Sequence, residues 1–105
     1  SKLNVPNFMH IVLNNGAHES VGGQPSAGYQ VDFTAIADAC GYSTVQHPVK
    51  TKEELIEAIE ELKNCGKASF IECRIHKGLN RKLPPIIFDH RENIDAFIAD
   101  LNDEM

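Results

Sequence analysis

The sequence predicts an α/β fold: a three-layer α/β/α sandwich around a short parallel sheet, with its elements in the order βαβαβα. Three observations predict it. Residues 8–13 and 68–75 are mostly apolar runs of strand length. The segments between and after them repeat apolar residues at helical spacing. Caps and stop glycines punctuate those helices where strand–helix units would need them. Consecutive units of this kind pack as parallel strands joined by right-handed crossovers. With 105 residues, the chain fits one domain spanning residues 1–105.

Each element has its own signal. The first strand, residues 8–13, ends at Asn14-Asn15-Gly16, and its unbroken apolar character suits a strand covered on both faces. Residues 16–28 are rich in glycine and polar residues; their composition predicts an irregular loop, long enough to suggest function. Asp32 caps a short helix whose apolar side is Phe33, Ile36, Ala37 and Cys40, and Gly41 stops it. A short strand over residues 42–46 leads to His47-Pro48. Thr51 and Glu54 form a capping box for the clearest helix, with Leu55, Ile56, Ile59 and Leu62 as its buried stripe and Gly66 after its end. Residues 68–75 alternate as a third strand, with Phe70 on one face and Ile71, Cys73 and Ile75 on the other. A loop over residues 76–88 carries Lys77, Gly78, Arg81, Lys82 and Pro84-Pro85. Asp89 and Glu92 then open a last helix with Ile94, Phe97, Ile98 and Leu101 on one side.

Composition excludes several classes. A formal net charge of −5 and a pI near 5.4 argue against a nucleic-acid partner. No apolar run is long enough to span a membrane, and no leader marks the chain for secretion, so a cytoplasmic location is expected. Cys40, Cys65 and Cys73 are odd in number and widely spaced, as expected of reduced, packed thiols. His10, His47, His76 and His90 lack metal-ligand spacing. The glutamates from Glu53 to Glu61 make a solvated helix face, and Lys77, Arg81 and Lys82 make either a solvated basic loop or an attraction for an anionic substrate.

In open parallel sheets, ligands sit at the carboxyl ends of the strands, where Asn14, Asn15 and the glycine loop lie. The run Ile11-Val12-Leu13-Asn14-Asn15-Gly16-Ala17-His18-Glu19-Ser20-Val21-Gly22-Gly23-Gln24-Pro25 resembles the downstream half of the thiamine diphosphate motif, which runs from Gly-Asp-Gly across a helix and a strand to Asn-Asn. A histidine, a serine and Gly-Gly-Gln after the asparagines are similar to the thiamine diphosphate-dependent 2-oxo acid decarboxylases of the phosphonopyruvate and sulfopyruvate type. Asp32-Phe33, Ala39-Cys40-Gly41-Tyr42 and Arg74-x-x-Lys77-Gly78 extend that resemblance along the chain.

The resemblance implies a lyase of phosphonate metabolism that takes a small 2-oxo acid and uses thiamine diphosphate held by Mg2+. It implies that the side chain of Asn15 and the backbone carbonyl of Ala17 ligate the metal, a hard cation that favours oxygen. It further implies that Asn14, Gly16, Gly22 and Gly23 line the cofactor and that His18, Ser20 and Gln24 face substrate. The sequence departs from the pattern in lacking Gly-Asp-Gly, and the residues before Asn14 are too few for the helix and strand that should intervene. The glutamate that activates the cofactor's aminopyrimidine lies in another domain of that family. Beginning at Ser1, the chain is therefore expected to be a C-terminal fragment of a diphosphate-side domain, inactive alone, with the remaining domains of the parent enzyme as partners and no cofactor bound by itself. Its first strand should then have an open edge that favours a homo-oligomer, its third strand should lie between the first and second, and its glycine loop should be mobile or follow a non-native path. The alternative is a stand-alone flavodoxin-like binding module, although neither a Walker lysine nor a G-x-G-x-x-G fingerprint is present.

Overall fold

The structure, a computed structural model, describes residues 5–78 and 89–104. The expectations for Arg81, Lys82 and Pro84-Pro85 fall outside the described residues. Strands are β1 (Met9–Asn14), β2 (Ala17–His18), β3 (Gln24–Pro25), β4 (Ser43–Thr44) and β5 (Ser69–Arg74); helices are α1 (Phe33–Ala39), α2 (Lys52–Leu62) and α3 (His90–Glu104).

The main sheet is parallel with the order β1-β5-β4, so the third of the expected strands does sit between the first and second. Register pairs Met9 with Ser69 through Asn14 with Arg74, which puts Asn14 and Arg74 side by side at the carboxyl ends. Residues 42–46 give only the two-residue β4, extended by a bridge from Val49 to Cys73. His47-Pro48 interrupts the ladder there, since proline has no N–H to contribute.

β5 is the core of the molecule, buried at every position from Ser69 to Cys73. On one face Ile71 and Cys73 meet Val49, Ala58 and Leu62, with Met9, Leu55 and Ile59 packed around them. On the other face Phe70 meets the rings of His10 and Tyr42, with centroids 5.4 and 6.2 Å away, and α1 lies against this side of β4 and β5. Burial pushes the Cys73 thiol above its ordinary range, and the neighbouring Glu72 charge adds to it. Cys73 is thus packed as expected, whereas Cys65 is half-buried and Cys40 exposed.

The caps fall where the sequence places them. Asp32 accepts from Ala35 N at 2.9 Å. Thr51 accepts from Glu54 N at 3.2 Å while Glu54 accepts in return from Thr51 N. Replacing Thr51 with Ala should cost about 1 kcal/mol of unfolding free energy, read from a urea titration.

Several faces are more open than their periodicity suggests. Leu13 is 66% exposed and Ile56 50% exposed, and none of the residues of α3 is buried. His10, Ile11 and Leu13 are exposed, so β1 is not covered on both faces; among the described residues its only ladder partner is β5, which leaves it the open edge expected of it. Ala58, not Ile56, faces β5 from α2. In α1 only Ala37 is buried; Ile36 turns outward, and Cys40, which caps the helix end, is exposed.

Candidate functional site

The segment 16–28 is folded, which corrects the expectation of an irregular loop. β2 and β3 form a small antiparallel hairpin whose connection contains a short 3-10 turn at Glu19–Val21, and a second such turn, Ala27–Tyr29, follows it. Gly22 and Gly23 turn the chain at φ 120° and 74°, a region that side chains other than glycine resist. Their part in the structure is this turn. Gly16, at φ 66°, has a second constraint: a Cβ there would lie 2.6 Å from the Tyr29 ring.

The two asparagines are set differently. Asn14 is buried at 7% exposure, and both ends of its amide are bonded inside the fold. Its Nδ2 donates to Gly28 O at 2.7 Å and to Glu72 Oε1 at 2.8 Å, while its Oδ1 accepts from Gly16 N at 3.0 Å. Asn15 is half-buried; its Nδ2 donates to Glu19 Oε2 at 2.8 Å and its Oδ1 accepts from Ala17 N at 3.1 Å. A carboxamide oxygen has two lone pairs, so Asn15 Oδ1 keeps one for a ligand.

Hairpin register orients Ala17. Ser26 N donates to Gly16 O at 2.8 Å, one residue to the side of the Ala17–Pro25 pair. That pair is therefore the non-hydrogen-bonded kind, and Ala17 turns its own N–H and C=O away from β3. Because its N–H reaches Asn15 Oδ1, its carbonyl lies on the same side as that oxygen. Two oxygens of the kind a hard cation selects are thus presented together, one from an amide and one from the backbone. Among the described residues, no cluster of three or more His, Cys, Asp or Glu could hold a metal. Any cation here would therefore rest on these amide and carbonyl oxygens plus ligands from elsewhere.

His18 and Gln24 are cross-strand partners on the hairpin, and Ser20 sits in the 3-10 turn beside them; all three are exposed. The hairpin is tied back to the chain after β5. Glu19 Oε1 accepts from Gly78 N, and Lys77 Nζ donates to Gly23 O at 3.3 Å. Lys77, exposed in the segment after β5, reaches back to the glycine turn.

Three residues not singled out as site candidates prove central to this arrangement: Glu72, Tyr29 and Glu19. Glu72 is 2% exposed in the middle strand, and Arg74 Nε lies 3.5 Å from the oxygen that Asn14 uses. The Arg74 guanidinium stacks 5.3 Å from the Tyr29 ring centroid, and Tyr29 OH donates to Ile75 O at 3.1 Å. Asn14, Glu72, Arg74 and Tyr29 make one polar network beneath the loop. The sequence held a signal for it: an acid and a base two apart in the β5 run share a face, and a buried charge needs a partner.

Known proteins with similar sequences bear on this site. The family described as thiamine pyrophosphate enzyme, C-terminal TPP binding domain, matches residues 2–73, well over half of the chain. Phosphonopyruvate decarboxylase of Streptomyces viridochromogenes is 43% identical over 53 residues, covering 50% of this chain and 13% of that protein. Its namesake from Streptomyces hygroscopicus is 42% identical over 53 residues with the same coverage. Sulfopyruvate decarboxylase of Methanosarcina acetivorans is 33% identical over 92 residues, 87% of this chain and 23% of that protein. The chain thus spans less than a quarter of the length of these relatives. No solved structure matches it. The chain belongs to the thiamine pyrophosphate enzyme family, as part of its C-terminal cofactor-binding domain.

Proposed function

We propose that residues 1–105 are the C-terminal part of the diphosphate-side domain of a decarboxylase that converts phosphonopyruvate to phosphonoacetaldehyde and carbon dioxide. The observation that carries the reading is the bond from Ala17 N to Asn15 Oδ1, beside a hairpin register that turns the Ala17 backbone away from β3, in a chain of this family. Thiamine diphosphate, when bound, supplies the electron sink for loss of carbon dioxide. Asn15 and Ala17 contribute two oxygens toward the Mg2+ that holds its diphosphate, and the network under Asn14 fixes the backbone from which they project. Gly16, Gly22 and Gly23 set the course of the loop around the cofactor. His18, Ser20 and Gln24, side by side and open to solvent, face the substrate. The remaining oxygen ligands and the groups that activate the cofactor come from other parts of the enzyme, so this segment alone is inactive and holds no cofactor tightly.

Phosphonopyruvate is favoured by the higher identity of the two relatives with that name. Sulfopyruvate is the second reading, supported by the relative whose match covers more of the chain. Carbon dioxide release by the full-length protein, compared on phosphonopyruvate, sulfopyruvate and pyruvate, tests the choice. A kcat/KM highest on phosphonopyruvate is the expected result; preference for sulfopyruvate moves the assignment to that substrate, and turnover of pyruvate alone refutes both.

The partners on this reading are the rest of the enzyme and further copies of it in the cytoplasm. No helix among the described residues is long and apolar enough to cross a membrane. The open edge of β1, with exposed Ile11 and Leu13, and the unburied stripe Ile94, Phe97, Ile98 and Leu101 support a covering partner. In the absence of the other domains, this chain should self-associate in sedimentation equilibrium at high concentration; a strict monomer would contradict that expectation.

A further inference from the structure

We infer that Glu19 is a positioning residue that decides which end of the Asn15 amide faces the cation; the inference rests on the proposed ligand role of Asn15. An asparagine side chain is nearly symmetric in shape, and only its hydrogen-bond partners distinguish oxygen from nitrogen. Turned the wrong way, it would aim an N–H group at a positive charge. Two partners set Asn15, and both demand the same orientation. Ala17 N–H, 3.1 Å away, can only donate and therefore requires the oxygen. The Glu19 carboxylate, 2.8 Å away, can only accept and therefore requires the nitrogen. The backbone bond alone is a neutral one; the carboxylate adds a charge-assisted bond on the other side, typically about twice as strong.

Glu19 is itself held. It lies in the 3-10 turn four residues after Asn15, and its other oxygen accepts from Gly78 N, across 59 residues of sequence. One carboxylate therefore orients the amide and ties the hairpin to the chain leaving β5. Asn14 has an analogous carboxylate in Glu72, but Asn14 is buried, with both ends of its amide bonded inside the fold. The two acids divide the Asn-Asn pair into a structural member and a ligand member. The contact follows the pattern by which groups behind a metal ligand fix its orientation, whose loss commonly lowers metal affinity about 10- to 100-fold.

A double-mutant cycle separates orientation from simple loop support. In the full-length protein, Mn2+ affinity in the presence of thiamine diphosphate is measured by the loss of the free-ion electron paramagnetic resonance signal. The forms compared are wild type, Glu19→Ala, Asn15→Asp and the double variant. An aspartate has two equivalent oxygens, so nothing remains to orient, and its charge would repel Glu19. The expected result is a loss of about 10- to 100-fold on Glu19→Ala when Asn15 is intact and no loss, or a gain, when Asn15→Asp is already in place. Equal losses in both backgrounds would assign Glu19 only the tie to Gly78 and overturn the inference, as would no loss in either. If the wild type shows no thiamine diphosphate-dependent Mn2+ binding, the proposed site itself fails, a result distinct from either of those.

Discussion

Replacing Asn15 with Leu in the full-length protein should reduce Mg2+-dependent affinity for thiamine diphosphate by at least about 100-fold. Leucine is close in size but has no oxygen, so an octahedral cation that tolerates little distortion loses one of its ligands. The leucine would also abandon the Glu19 carboxylate and Ala17 N–H that now hold the side chain. Because Asn15 is only half-buried and its bonds are local, the fold should survive, and the thermal midpoint of the apoprotein should move little. Titration calorimetry on both forms checks the prediction. Unchanged affinity would remove Asn15 from the metal site, whatever the activity of the variant.

The second large effect is expected one residue layer beneath. Changing Glu72 to Ala leaves the Asn14 Nδ2 hydrogen without its buried acceptor and Arg74 without its counter-charge. Removing one member of a buried pair strands the other, at a typical cost of about 3–5 kcal/mol. Arg74 keeps 34% of its side chain exposed, and water recovers part of that. A loss of about 2–4 kcal/mol in a urea titration is therefore expected, while Glu72→Gln, which retains an acceptor oxygen for Asn14, should lose less. An Ala variant as stable as wild type would show that the network carries little of the fold's stability.

These two predictions concern neighbouring asparagines that look identical as letters. The resemblance marked both, and the strand ending there was legible because residues 8–13 are apolar and Asn-Asn-Gly breaks the run. Burial separates them. Asn14 ends β1 facing inward between Glu72 and Gly28, whereas Asn15 has left the strand. No local pattern encodes that distinction, which depends on β5 arriving from 58 residues away.

Other features divide along the same line. The parallel order with β5 in the middle was implied by the family resemblance together with right-handed crossovers, and the caps at Asp32 and Thr51 followed from side chains acting on their own turn. The hairpin in residues 16–28 was missed because its strands are two residues long and its register is set by Gly22, Gly23 and the tie from Lys77. Apolar periodicity in β1, α2 and α3 marked Leu13, Ile56 and Phe97 as interior residues. They are exposed because periodicity reports which face seeks cover, and what covers it is a separate matter.

On the proposed reading this chain carries part of a thiamine diphosphate–Mg2+ site that other segments complete. Calorimetric titration of the 105-residue chain with thiamine diphosphate and Mg2+, beside the same titration of the full-length protein, tests it most directly. No measurable heat of binding is expected from the chain, against micromolar binding by the full-length protein. Tight binding by the chain alone would contradict that reading, because Asn15 and Ala17 would then belong to a site that needs no other ligands.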